Sequence, residues 1–293
     1  LYINELAENT VREVVEKGGC ELISEVCTPF VTLVVADLLG MPKQDQHLFR
    51  EAIDSEPSPF NIDKVISGEG NTPGKFMMEM GAHFYNYVID RRQNPADDIL
   101  TELAQATYPD GSSPDDIDLV KIIMFLFGAG QDTSAKLLGN SIRYLAENPE
   151  LQETLRKDRS LIPTFIEEML RLEGSTKLTF RLTTKTTKVG DTVIPAGKRV
   201  VIAMAAANRD PRQWENPHEF QLNRKKVMQH VGFGRGIHTC IGAPLARAEV
   251  KIILNQFLEQ TSAITLAEPK AGMKYEPSYV IRGLSELKVN FQK

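Results

Sequence analysis

Phe233-Gly234-Arg235-Gly236-Ile237-His238-Thr239-Cys240-Ile241-Gly242 runs directly into Ala243-Pro244-Leu245-Ala246-Arg247. Beyond it, apolar residues recur at helical spacing, at Leu245, Ile252, Ile253 and Phe257. Pro244 suits the first turn of that helix, where a missing N–H costs little. Cys240 then stands at the mouth of a helix, where free backbone N–H groups and the macrodipole favour a thiolate over a thiol. Gly236 and Gly242 have no Cβ, so another group can lie close against this backbone. A thiolate beside a flat glycine face suits a metal carried in a planar ligand. A cysteine at a helix start, taken alone, is more commonly a buried packing residue, and for the isolated residue that reading stays open.

The whole string resembles the haem-binding loop of the cytochrome P450 family, the haem-thiolate monooxygenases, whose pattern is F-G-x-G-x-H-x-C-x-G. Every fixed position is matched. The resemblance implies that Cys240 is the proximal ligand to the iron of haem b, with Phe233 beside the sulfur and His238 reaching a propionate. Gly234 and Gly242 belong to the same cofactor-binding set. An axial thiolate donates electron density that favours O–O cleavage, and N–H bonds to the sulfur tune the potential.

The 293 residues are enough to bury a substantial core. With 42% hydrophobic and 25% charged residues the composition is that of an ordinary soluble globular protein. A net charge of -5 argues against nucleic acid as a main partner. The 3 cysteines, Cys20, Cys27 and Cys240, form no C-x-x-C pair, which disfavours zinc and iron–sulfur sites. Cys20 and Cys27 read as inert packing residues, and reduced thiols suggest the cytoplasm. No signal peptide opens the chain, and no apolar run is long enough to cross a bilayer.

Residues 1–17 read as a helix stopped at Gly18-Gly19. Glu21–Leu39 is a second helical region with a break expected near Pro29, ended by Gly40 and Pro42. A short helix is expected over Lys43–Asp54 and a mobile loop from Ser55 to Gly74. A helix covers roughly Lys75–Arg92, and an amphipathic segment reaches Ala106. Ser113-Pro114-Asp115-Asp116 reads as a cap, a first-turn proline and two acids at the positive end. From there the helical pattern runs unbroken to Asn148-Pro149, long enough to cross the whole core. Further helices are expected over about Pro149–Arg156 and Ile162–Leu172. Between Arg181 and Ala206 the pattern alternates, with strands at Thr187–Val189, Thr192–Ile194 and Lys198–Ala205. So small a β unit is only marginally stable alone and is expected to pair with strands outside this chain.

Inside the long helix stand Gly128-Ala129-Gly130-Gln131-Asp132-Thr133-Ser134. Each mid-helix glycine costs about 1 kcal/mol relative to alanine. Approach of a large flat group or packing against another backbone would compensate. Asp132-Thr133 sets an acid beside a hydroxyl, able to hand protons inward. The stretch resembles the family's oxygen-activation motif, A-G-x-[DE]-T. That resemblance implies that Ala129 and Gly130 face the haem, that Thr133 bonds dioxygen and that Asp132 gates proton delivery.

Glu168-Met169-Leu170-Arg171 is, by itself, an exposed helix pair worth a few tenths of a kcal/mol. Downstream, Asn208-Arg209-Asp210-Pro211 leads through Trp214, Pro217 and Phe220 to Arg224, as in the family's stretch ahead of the haem loop. The resemblance therefore implies a buried structural network of Glu168, Arg171 and Arg224, and a propionate contact at Arg181. As a strand-edge charge Arg181 has an ordinary alternative.

The order of these motifs is the family's order. It implies a mainly α fold with a small β region at about 181–206, spanning residues 1–293 as one haem-thiolate domain. The family's N-terminal part has no counterpart here, so the chain is expected to belong to a longer polypeptide. The implied reaction inserts one atom of dioxygen into a small apolar organic substrate. Electrons would come from an external ferredoxin-type donor docking near Arg235 and Arg247, since the chain carries no flavin or nicotinamide fingerprint. Phe125, Ala129, Lys177–Phe180 and Tyr279–Ile281, with Val280 at its centre, are the substrate-pocket candidates. Alternatives are a peroxide-using or isomerising haem-thiolate enzyme and a non-catalytic haem-binding protein, and Asp132-Thr133 argues against the first.

Overall fold

A helix of 32 residues, Asp116–Glu147, is the axis of the molecule. At 1.5 Å per residue it runs about 48 Å, which spans the core from one face to the other. The computed structural model describes residues 2–45, 48, 75–269 and 272–293. From Ser134 to Arg143 every residue of the axial helix is buried, so this half is surrounded on all sides. Toward its N-terminus one face opens, leaving Ile117, Ile122 and Phe125 exposed.

In chain order the helices are α1 (Tyr2–Lys17), α2 (Thr28–Leu39), α3 (Lys75–Gln93), α4 (Ile99–Ala104), α5 (the axial helix), α6 (Pro149–Lys157), α7 (Ile162–Glu173), α8 (Met204–Ala207) and α9 (Ala243–Gln260). Helices α2, α3, α7 and α9 all pack on α5, and α1 packs on α9. A continuous apolar core joins them, from Phe30 and Val35 through Leu138 and Ile142 to Phe165, Ile253 and Phe257. Burial of such side chains contributes roughly 1.5–3 kcal/mol each.

The local signals were met with some shifts. Gly18, at φ 80, ends α1, and Gly40, at φ 86, caps α2. A Cβ on Gly40 would come within 2.4 Å of Asp98, so no other residue fits there without displacing the N-cap of α4. Pro29 does not break a helix. A five-residue π-helix, Ile23–Cys27, precedes it, and the proline occupies the opening turn of α2, where its lost N–H is harmless. The cap of α5 is Asp115, whose carboxylate accepts from the Ile117 N–H at 2.8 Å. Ser113 is not the cap, and Pro114 lies ahead of it, because a carboxylate outcompetes a hydroxyl at the positive end. Of the helix expected over Lys43–Asp54, Lys43–Asp45 forms a 3-10 turn. The rest of that stretch, apart from Leu48, and the loop expected over Ser55–Gly74 lie outside the described residues.

Strands β3 (Thr187–Val189) and β4 (Thr192–Ile194) form the expected hairpin. The third strand stops early: β5 covers Arg199–Ile202, and Met204–Ala207 turns into α8. It pairs within the chain, antiparallel to β2 (Thr179–Leu182), with Arg181 opposite Val200. A three-stranded sheet absent from the sequence reading runs β1 (Gly19–Glu21), β7 (Lys288–Gln292), β6 (Ala263–Leu266), all antiparallel. These strands are too short for their alternation to stand out from their flanks.

Candidate functional site

The loop at 233–242 is folded so that its cysteine faces outward. Gly234 and Gly236 take positive φ, 69 and 74, bending the chain into a 3-10 turn at Gly236–His238. The Cys240 N–H donates to the Phe233 carbonyl at 2.9 Å and closes the loop. Gly242 then starts α9, with Pro244 in its first turn as expected. The cysteine is exposed, and beside it Ile237 and Ile241 expose 97% and 80% of their surface. Two bare isoleucines flanking a free thiol are unusual on a water-facing loop and describe an apolar seat. A Cβ on Gly242 would lie 3.8 Å from the sulfur, and one on Gly236 would meet nothing. His238 is exposed.

Behind the loop sits a cluster that the sequence reading missed. Glu167 on α7, buried, binds His230 at 2.9 Å and accepts from Arg247 Nε and Nη2 through its two carboxylate oxygens. His230 Nδ1 accepts from the Gly232 N–H at 3.0 Å, which places the ring proton on Nε2 and its donation toward Glu167. The Arg247 guanidinium lies over the Phe233 ring, 4.7 Å from its centroid. Burial alone would raise the Glu167 carboxyl, but the bonds to Arg247 and His230 outweigh it and hold it at about 2. Through Arg247 this cluster braces the Phe233 ring. Arg247 was legible only as a surface charge.

On α5 the Thr133 hydroxyl donates to the Ala129 carbonyl at 2.9 Å, the local back-bond that hydroxyls make inside helices. Gly130 has a neighbour that the sequence alone did not reveal. A Cβ there would lie 3.1 Å from Val35, so its missing side chain lets α2 close on α5. Asp132 is half-buried and paired with Lys136, one turn on. Glu249 of α9 lies fully buried, with neither carboxyl oxygen hydrogen-bonded. Burial pushes it up to about 8, against a weak opposing pull from the nearby Ser134 hydroxyl. Phe125 is exposed, whereas Val280 is buried beside the backbone of Lys177, whose N–H donates to its carbonyl at 2.8 Å.

The Glu168 carboxylate is gripped by Arg171 through two bonds of 2.8 Å and by Arg224 at 2.8 and 3.0 Å. Far from being exposed, this group is sealed under the segment 208–221. Arg171 donates to the carbonyls of Asn208, Pro217 and Glu219, and Arg224 to those of Glu215, Asn216 and Glu219. Planar guanidinium groups bridge carboxylate and carbonyls together, which lysine cannot. Arg181 on β2 folds back to its own strand, donating to the Phe180 carbonyl at 2.7 Å, and has no acidic partner among the described residues.

These residues fit a haem. The loop offers one soft sulfur ligand on an apolar seat, and Arg181 is a cation with no acid of its own, suited to a propionate. Comparison with known proteins points the same way. The cytochrome P450 family model matches residues 43–289. Cytochrome P450 107B1 of Saccharopolyspora erythraea is 32% identical over 288 residues, covering 98% of this chain and 69% of that protein. The solved structure of Mycobacterium marinum cytochrome P450 CYP150A6, substrate-free, superposes with TM-score 0.89 at 42% identity, covering 99% of this chain and 68% of that one. The CYP109E1 structure from Bacillus megaterium in complex with testosterone gives TM-score 0.86 at 30% identity over 99% of this chain and 77% of that one. The chain thus spans about two thirds to three quarters of the length of these relatives. It belongs to the cytochrome P450 family, whose members are haem b monooxygenases.

Proposed function

We propose that this chain carries the catalytic machinery of a monooxygenase that inserts one atom of dioxygen into an apolar organic substrate, using electrons from an external carrier. The observation that carries the reading is the outward-facing Cys240 on its glycine-bent loop, flanked by bare isoleucines and braced by Phe233, Arg247 and Glu167. When bound, the haem supplies reductive activation of dioxygen. Cys240 would hold the iron, and Arg181 and His238 would take the propionates. The backbone at Ala129, Gly234 and Gly242 lets the porphyrin lie close. Thr133, whose hydroxyl now donates to the Ala129 carbonyl, would offer it to dioxygen instead, and Asp132 would supply it with protons.

An apolar substrate is supported by the exposed Phe125 and by the testosterone complex of CYP109E1. Exposed Arg235 near Cys240 suits an acidic electron carrier such as a ferredoxin. No described helix is long and apolar enough to cross a membrane, and the free cysteines suit a reducing cytoplasm. The test is the ferrous carbonyl spectrum of the haem-loaded protein. Cys240→Ala abolishes the thiolate band, and its survival in that variant overturns the assignment.

A further inference from the structure

Lys136 is buried in the middle of α5, 6% exposed, and an ammonium there costs several kcal/mol in lost hydration unless it is paired. It has two acids. One is Asp132, a turn earlier on the same helix. The other is Glu276, from the C-terminal segment, whose Oε2 lies 3.0 Å from Nζ. The lysine stem is laid against Gly283, where a Cβ would sit 2.3 to 2.7 Å from its Cγ, Cδ and Cε. A glycine is therefore required for this lysine to reach both partners.

The segment that supplies Glu276 and Gly283 is a closed loop, with the Glu276 N–H donating to the Gly283 carbonyl at 3.0 Å. Its far side bridges Thr176 and Ile281, and it includes Val280. A second tie runs from Arg282 to Glu173 at the end of α7, 3.1 Å. So a single buried ammonium links the acid of the Asp132-Thr133 pair to the loop carrying the pocket candidates 279–281.

The exposures say which partner can move. Asp132 and Glu276 expose 28% and 30% of their side chains and can each exchange the lysine for water, whereas Lys136 cannot. The lysine is the fixed point, and the two carboxylates share its one charge. We propose that Lys136 is a positioning residue through which the 275–284 loop controls how tightly Asp132 is held. With Glu276 seated, the ammonium is divided and Asp132 is free to swing. With Glu276 drawn off, the whole charge falls on Asp132 and pins it. A ligand that steadies the loop therefore releases the acid, and by linkage removal of the acid strengthens the loop's hold on the ligand. The inference rests on the proposed role of Asp132 in proton delivery.

The test uses the haem-loaded protein and the azole clotrimazole, its dissociation constant read from the Soret shift in wild type, Asp132→Asn, Glu276→Gln and the double variant. Asp132→Asn tightens binding and Glu276→Gln weakens it, each by about fivefold, and the two effects do not add. Lys136→Met erases both. If that variant fails to fold, the Asp132–Glu276 cycle decides alone. Additive effects, or no effect of either substitution, overturn the proposal. Product formed per electron is measured separately on Asp132→Asn. Normal product yield with non-additive affinities supports the Lys136 link and removes Asp132 from proton delivery. Lost yield with additive affinities does the reverse.

Discussion

Glu168 and Arg171 stand one turn apart on α7, each at most 1% exposed, joined by two bonds of 2.8 Å. A pair at this spacing on a helix surface contributes a few tenths of a kcal/mol. Buried, it becomes a knot. Arg224 completes it, and six further bonds from the two arginines run to backbone carbonyls of residues 208–219, the approach to the cysteine loop.

Removing the acid leaves two buried cations without a counter-charge. Glu168→Gln is expected to destabilise the protein by about 3–5 kcal/mol in urea unfolding. Arg171→Lys falls in the same range, because an ammonium cannot reach carboxylate and three carbonyls at once. A loss of less than about 1 kcal/mol for both would place the knot among ordinary surface pairs.

Glu249 gives stability a slope in the alkaline direction. Its carboxyl is raised by burial from 4.5 to about 8, so the folded chain binds a proton that the unfolded chain has released. Between those values each pH unit costs about 1.4 kcal/mol, and the loss is complete above 8. Glu249→Gln should flatten this slope, matching wild type near pH 5 and exceeding it by a few kcal/mol near pH 9. Unfolding curves at both pH values check it, and parallel curves for the two proteins would refute it.

Glu167 acts in the opposite sense. Its carboxyl is depressed from 4.5 to about 2 by Arg247 and His230, against its burial. The stabilisation, about 3 kcal/mol, is present in full above 4.5 and is lost as pH falls toward 2. Acid unfolding of Glu167→Gln should begin from a lower stability and show a shallower fall across that window. The same substitution removes the carboxylate that holds Arg247 over Phe233, so the haem reduction potential should shift with it.

Thr133→Ala should leave haem binding and melting temperature nearly unchanged, since the hydroxyl makes one local bond, worth about 1 kcal/mol. Product per electron should fall roughly tenfold or more, with the reducing equivalents appearing as peroxide. Unchanged yield would take Thr133 out of the oxygen chemistry.

The cysteine loop was readable as a fixed spacing of unusual residues, and the length of α5 from a helical pattern without a breaker. The knot at Glu168 was readable only through the family resemblance, since its spacing alone describes a surface pair. Lys136 stood at the right helical distance from Asp132 to be noticed, yet its second partner, Glu276, meets it only through the fold. Glu167 and Glu249 look like solvated helix charges in the sequence, and their burial depends on α7 and α9 packing against α5. Gly130 carries a constraint that only the fold shows, since a neighbouring helix, through Val35, lies against it.

The pairing of β1 with β7 sets a condition on biosynthesis. Residues 19–21 find their strand partner only at 288–290, and Leu22 and Leu287 extend the same ladder. While the polypeptide is still emerging from the ribosome, the edge at Gly19–Glu21 lacks this partner until residues 288–290 have been made. A nascent chain arrested before residue 288 should therefore stay open to protease near Gly18, and release of the last strand should close it.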